Sequence, residues 1–210
     1  TQKQHEFLYR CGIEEFDHKN ESSIRHVLLS EILNEEADVD KYIIEYYCPN
    51  CGVTKVSWDM AAAYCEAIGG RLPTEAEWEH AARAGTTGPY PCGDESCLGD
   101  IAWFQENSEG HAMEVKQKEP NDFGLYDTIG NAIEWVADCY HDTYSGAPDD
   151  GTAWDEETCE NRILRGGCYG STPLALRVSW RDGVLPNFYG ACLPGFRCAR
   201  SIGDAPDAGE

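Results

Sequence analysis

The chain of 210 residues is 41% hydrophobic and 11% aromatic, which excludes global disorder and fits one large domain or a domain with an appendage. Its 38 acidic against 16 basic residues leave a formal net charge of −22, which argues against a nucleic-acid partner or an anionic membrane, since either would be repelled. No apolar run approaches the roughly 20 residues needed to span a bilayer and no signal peptide opens the chain, so membrane insertion is not expected. Localisation stays open, with a virion or cell surface among the options.

Residues 1–52 read as an irregular leader packed on or appended to a core. Ser22 or Ser23 can cap a helix over 22–34, in which Ile24, Val27, Leu28, Ile32 and Leu33 recur at helical spacing. Residues 41–47, rich in Tyr and Ile, read as a strand. Eleven cysteines is a high and odd number, and their scatter favours a reducing compartment with mostly free thiols over a disulfide framework. The local exception is Tyr47-Cys48-Pro49-Asn50-Cys51-Gly52, because a Cys-Pro-x-Cys-Gly turn aims two sulfurs at one centre, as in a zinc knuckle. Cys11 is the candidate third ligand, with His5 or His18 as a fourth; a disulfide or free thiols are the competing readings.

From Val56 the pattern becomes regular. A helix is expected over 58–68, capped by Ser57 and stopped by Gly69-Gly70. Thr74 and Glu77 form a capping box for the next helix, which runs to about Ala84. Beyond it Gly, Pro, Asp and Asn dominate, with short strands expected near Trp103, at 134–136, at 162–164 and at 196–199. Two helices followed by a loop-rich remainder with short strands give an α+β fold. The acidic Gly/Ala/Pro segment at 203–210 reads as a mobile tail.

One window departs from the rest. Lys, Glu, Gln and Met supply 34 of the 210 residues, yet none lies between Cys168 and Pro194. That stretch mixes apolar residues with Gly, Pro, Ser and Cys in a pattern of neither strand nor amphipathic helix. It lies between two scaffold-like segments, 162–167 and 195–200, and reads as a binding surface on a fixed frame.

Val56-Ser-Trp58, Gly70-Arg-Leu-Pro-Thr-Glu-Ala-Glu-Trp-Glu-His-Ala-Ala-Arg83, Asn121-Asp-Phe-Gly-Leu-Tyr-Asp127, Gly130-Asn-Ala-Ile-Glu-Trp135, Arg165-Gly-Gly167 and Gly195-Phe-Arg197 follow in that order. Together they closely resemble the formylglycine-generating-enzyme domain, a variant of the C-type lectin fold, over residues 53–202. The resemblance implies two helices with short twisted antiparallel strands and many loops. The family includes oxidases that convert cysteine to formylglycine, iron-dependent sulfoxide synthases, and variable proteins of diversity-generating retroelements, which only bind.

Oxidases of this kind carry a Cys-x4-Cys pair after the Arg-Gly-Gly turn that binds copper; those places hold Ser171 and Leu176 here, which supply neither soft ligands nor a redox pair. The histidines show no His-x3-His spacing for an iron cluster. The alternative of a sulfatase-modifying oxidase is therefore disfavoured, and no catalytic cofactor is expected. Resemblance to the variable proteins accounts for the window: adenine-directed mutagenesis of AAY codons gives NNY codons, which exclude Lys, Glu, Gln, Met and Trp, leaving Trp180 as a scaffold position.

The expected contact residues are Tyr169, Ser171, Leu174, Leu176, Val178, Val184, Leu185, Asn187, Phe188, Tyr189, Cys192 and Leu193, although Leu176 and Val178 could equally form a buried strand face. Arg177, Trp180, Arg181, Gly195, Phe196 and Arg197 read as frame. The expected partner is a protein ligand on a host or target surface; the oligomeric state is left open. The resemblance also implies a structural calcium ion held by the carboxylates of Asp127 and Glu134 and the carbonyls of Gly130 and Ala132, with capping of the turn by those acids as the competing reading.

Overall fold

Ser57 opens the first helix, α1 (Trp58–Ala67), by accepting a hydrogen bond from the Met60 amide at 3.2 Å, and Ala61 and Cys65, one turn apart, are its buried positions. The computed structural model describes residues 50–190 and 192–200. Beyond the Ile68 cap, the Gly69 and Gly70 amides bond back to the carbonyls of Glu66 and Cys65. The second helix, α2 (Glu75–Arg83), carries the expected capping box between Thr74 and Glu77 and buries Trp78, Ala81 and Ala82. A further one-turn helix, α3 (Leu98–Ile101), was not signalled by periodicity; it is too short for one, and buried Leu98 with half-buried Ile101 anchors it.

Four strands, β1 (Glu134–Cys139), β2 (Arg162–Arg165), β3 (Arg181–Val184) and β4 (Gly195–Phe196), form one sheet in the order β3-β2-β1-β4. β1 pairs antiparallel with β2, and β2 with β3, as expected, while the two-residue β4 runs parallel to β1, so the sheet is mixed. Trp103 is not in a strand; its carbonyl accepts the Asn131 amide at 2.7 Å. The strand expected over 196–199 is confined to Gly195–Phe196, and Ala199 makes an isolated bridge to Arg71. β3 lies inside the compositionally odd window, at Arg181–Val184 rather than at Leu176 and Val178, where a strand face was one of the two readings.

β1 and β2 are buried almost throughout, and alternate side chains feed two clusters. Val136 and Ile163 join Trp78, Phe104, Leu176 and Val178 in one; Trp135 and Leu164 join Val56, Leu72, Cys168 and Cys198 in the other. The tryptophans are tied polar-end first: Trp135 Nε1 donates to the Val56 carbonyl at 2.9 Å and Trp58 Nε1 to that of Val136 at 2.7 Å.

Two buried arginines hold the frame. Arg165, wholly buried, pairs with Glu75 and with Glu79 (2.6 Å) of α2 and also donates to the Val178 carbonyl. Glu75 in turn accepts Arg181 at 2.8 Å, which ties β3 to α2. Arg197 donates through Nε to Glu134 at 2.6 Å, and Trp78 Nε1 donates to the same oxygen at 2.8 Å. Breaking such a pair strands a charge in low dielectric, typically at a cost of about 3–5 kcal/mol.

Cysteine use differs from the reduced state expected. Cys65–Cys198, Cys92–Cys97, Cys139–Cys159 and Cys168–Cys192 are disulfides, and Cys51 is also disulfide-bonded. Sequence separations of up to 133 residues hid these pairings, because three-dimensional proximity, not spacing, decides them. No helix among the described residues is long and apolar enough to cross a membrane. The helix expected at 22–34, the strand at 41–47, Cys11, Cys48 and the tail at 203–210 lie outside the described residues.

Candidate recognition face

The Arg165-Gly166-Gly167 turn launches the window. Gly166 and Gly167 both take positive φ (89° and 67°), and a Cβ on Gly167 would lie 2.8 Å from the Ala175 carbonyl oxygen, so side chains are refused there on two counts. Cys168 follows, fully buried and bonded to Cys192, so one disulfide closes the stretch on itself. Its amide donates to Ser171 Oγ at 2.9 Å. A short 3₁₀ turn (Pro173–Leu176) leads through Val178 to β3, and the chain returns through Leu185–Leu193 to β4.

The window is not uniformly solvent-facing. Leu176 and Val178, expected as contacts, are fully buried in the cluster around Trp78 and are core. Their register explains why: the Val178 amide donates to the Pro89 carbonyl at 2.9 Å while its own carbonyl takes Arg165. Cys192 is half-buried and its sulfur is in the disulfide, which also removes it as a free contact. Tyr169 and Val184 are half-buried and pack with Cys192 on the second cluster; Ser171 and Leu193 are half-buried too. Arg177, read as frame, is exposed.

Of the expected contacts, those that stay outward are mostly close in sequence: Leu185 (56% exposed), Asn187, Phe188 (36%) and Tyr189 (54%). Leu174 is also exposed, but on the 3₁₀ turn whose Leu176 plugs the other cluster. The 185–189 loop is tethered where the Trp58 amide donates to the Pro186 carbonyl at 2.8 Å and where the Phe188 amide bonds to that of Leu185 at 2.9 Å. The Phe188 ring lies over Gly190, its Cζ 2.1 Å from where a Cβ there would stand, so residue 190 must lack a side chain for the ring to settle. Apolar rings held out by a fixed backbone are suited to contact with another macromolecule.

The residues of the expected calcium set are engaged with protein partners to different degrees. Glu134 accepts hydrogen bonds from Arg197 on both carboxylate oxygens, one of them shared with Trp78, so its charge is already paired without an ion. Asp127 fits better: it is buried, Oδ2 accepts the Lys116 amide at 2.8 Å, Oδ1 has no hydrogen-bond partner, and burial raises its pKa. Gly130 and Asn131 shape the turn between them, the Gly130 amide bonding to Gly166 and the Asn131 side chain to Met113. At the zinc candidate, the Cys51 sulfur is in a disulfide and is not a thiolate ligand. Copper does not fit either, since Ser171 Oγ accepts the Cys168 amide and Leu176 is core.

Among the described residues, Cys139, Asp155 and Cys159 bring ligand atoms within 4.8 Å of one another, but both sulfurs share a disulfide. A concavity of about 500 Å³ is lined by Tyr140, His141, Asp142 and Trp154; the His141 ring stacks on Trp154 at 3.6 Å and covers one indole face.

Comparisons with known proteins agree with this architecture. The model of the sulfatase-modifying factor enzyme 1-like domain matches residues 2–202, reaching further toward the N-terminus than the motif resemblance. The formylglycine-generating enzyme of Streptomyces coelicolor is 38% identical over 167 residues, covering 72% of this chain and 53% of the enzyme. Among solved structures, PvdO from Pseudomonas aeruginosa superposes with a TM-score of 0.67 at 38% identity, over 74% of this chain and 64% of PvdO. Treponema denticola variable protein 1 gives 0.66 at 28% identity, over 72% of each chain. The chain spans between 24% and 53% of the length of the two curated relatives it matches at 38–39% identity. These similarities take in a protein named as a formylglycine-generating enzyme and one named as a variable protein, and the chain belongs to the family of sulfatase-modifying factor enzyme 1-like domains, with an α+β, C-type-lectin-like fold.

Proposed function

We propose that this protein is a non-catalytic recognition protein whose C-terminal face is diversified by a retroelement to meet a protein target on a host or other cell surface. The observation that carries this reading is the loop at 185–189, which holds Leu185, Phe188 and Tyr189 outward on a backbone closed by Cys168–Cys192. Changes at those positions alter the face without opening a core cavity. The similarity to a protein named as variable, and the absence of Lys, Glu, Gln and Met from the window, support the diversified origin. Leu176 and Val178 then count with Trp180 among the positions the frame dictates.

The similarity to a formylglycine-generating enzyme favours an oxidase as the second reading. Against it stand a hydroxyl engaged with the backbone at Ser171 and a core leucine at 176, where two thiolates would be needed. The test is to incubate the purified protein with copper(I), oxygen and a cysteine-containing peptide and to follow peptide mass. No conversion to formylglycine is expected; catalytic conversion would overturn the proposal.

A further inference from the structure

The recognition face differs in charge from the molecule that carries it. From Gly183 to Gly195 the sequence has no Asp, Glu, Lys, Arg or His, in a chain of net charge −22. The acids resume at once on two sides. The Trp58–Pro186 hydrogen bond sets the loop beside the first turn of α1, where Asp59 is exposed. On the other side the Cys168–Cys192 bridge ties residues 169–171 to the returning chain of the window, and there Ser108 Oγ donates to the Tyr169 carbonyl at 2.8 Å and the Gln105 amide to the Ser171 carbonyl at 3.1 Å. Those two bonds bring in Glu106 and Glu109, both exposed. Lys55, half-buried beside the Val56–Pro194 hydrogen bond, is a cation at this margin, and Arg177 is exposed nearer the 3₁₀ turn.

Resting on the recognition reading above, we infer that the face of Leu185, Phe188 and Tyr189 docks a protein segment that is aromatic or aliphatic at its centre and basic at its flanks. Three apolar side chains at 36–56% exposure offer area that only an apolar partner surface covers without stranding polar groups. The acidic margin then selects the flanks: acids on a partner meet like charge at Asp59, Glu106 and Glu109, while Lys or Arg is attracted and steered in by the whole body. The same charge argues against the other occupants. Two copies of this chain, each at −22, repel one another, as do a phosphate backbone and an anionic bilayer.

The test selects a random-peptide phage library on the full chain, after depletion on the double variant Phe188→Ser/Tyr189→Ser, whose thermal midpoint serves as a folding control. Peptides that bind the wild type alone are expected to carry aromatic or aliphatic residues between Lys or Arg. Their affinity should fall about tenfold as salt rises from about 50 mM to about 500 mM. It should also fall several-fold in Asp59→Asn/Glu106→Gln/Glu109→Gln. Face-dependent peptides without basic residues, with salt-insensitive binding, would overturn the inference and leave the recognition reading standing. Basic peptides that bind the depletion variant equally well would also overturn it, since the attraction would then belong to the body alone. Failure to obtain any face-dependent peptide would count against the recognition reading itself.

Discussion

Leu176 and Leu185 provide the same substitution in opposite surroundings, nine residues apart in one window. Leu176 is 0% exposed, packed with Trp78, Phe104, Ile163 and Val178; Leu185 is 56% exposed on the outward loop. Truncating Leu176 to Ala removes a fully buried isobutyl group and leaves a cavity that the rigid neighbours Trp78 and Phe104 only partly fill. Transfer and cavity terms together come to about 3 kcal/mol. Leu185→Ala gives up less than half of a side chain's burial and opens no closed void, which limits the loss to about 1 kcal/mol or less. For a domain of this size the Leu176 variant should melt about 6–12 °C lower and the Leu185 variant within about 4 °C of wild type. Urea unfolding followed by tryptophan fluorescence, in oxidising buffer, measures both. Equal losses for the two variants, or a larger loss at Leu185, would refute the division of the window into core and face.

Three further predictions concern the frame. The Cys168→Ala/Cys192→Ala variant should lose about 3 kcal/mol, because a 24-residue separation is no longer closed in the unfolded chain; an unchanged urea midpoint would show that the bridge does not pin the window. Glu134→Gln leaves Arg197 buried without its carboxylate and should cost about 3 kcal/mol or more, with or without added calcium; calcium-dependent behaviour of the wild type that this variant loses would restore Glu134 as an ion ligand. Burial raises the Asp138 pKa above 3.8 despite amide bonds from Glu75 and Trp154, so the fold favours the neutral acid. Its contribution is fully present below the unfolded value and is lost as pH rises through the folded one. Wild-type stability relative to Asp138→Asn should therefore fall as pH rises from below the ordinary carboxylate value of 3.8; a rise with pH there would contradict the stated cause.

Much of the frame was legible because its signals are local. Ser57, Thr74 and Glu77 cap helices through bonds spanning three residues, and these stand as expected. The Arg-Gly-Gly and Gly-Asn motifs also announce turns, which positive φ at Gly166, Gly167, Gly130 and Asn131 bears out. What stayed hidden depends on distant partners. β3 is a strand because β2 pairs with it and Arg181 reaches Glu75, 106 residues away in sequence, not because of its own four residues. The disulfides, the burial of Leu176 and Val178, and the capture of Glu134 by Arg197 are likewise long-range. At the face itself, composition marked the window as unusual, but only packing could separate Leu185, Phe188 and Tyr189 from their buried neighbours.

The independence of face and core is tested most directly by two saturation libraries displayed on yeast and challenged by heat. One varies Leu185, Asn187, Phe188 and Tyr189 together; the other varies Ile163, Leu164, Leu176 and Val178. The first library should keep most of its members folded and the second very few. Similar survival in the two would contradict an exchangeable recognition face carried by an invariant frame.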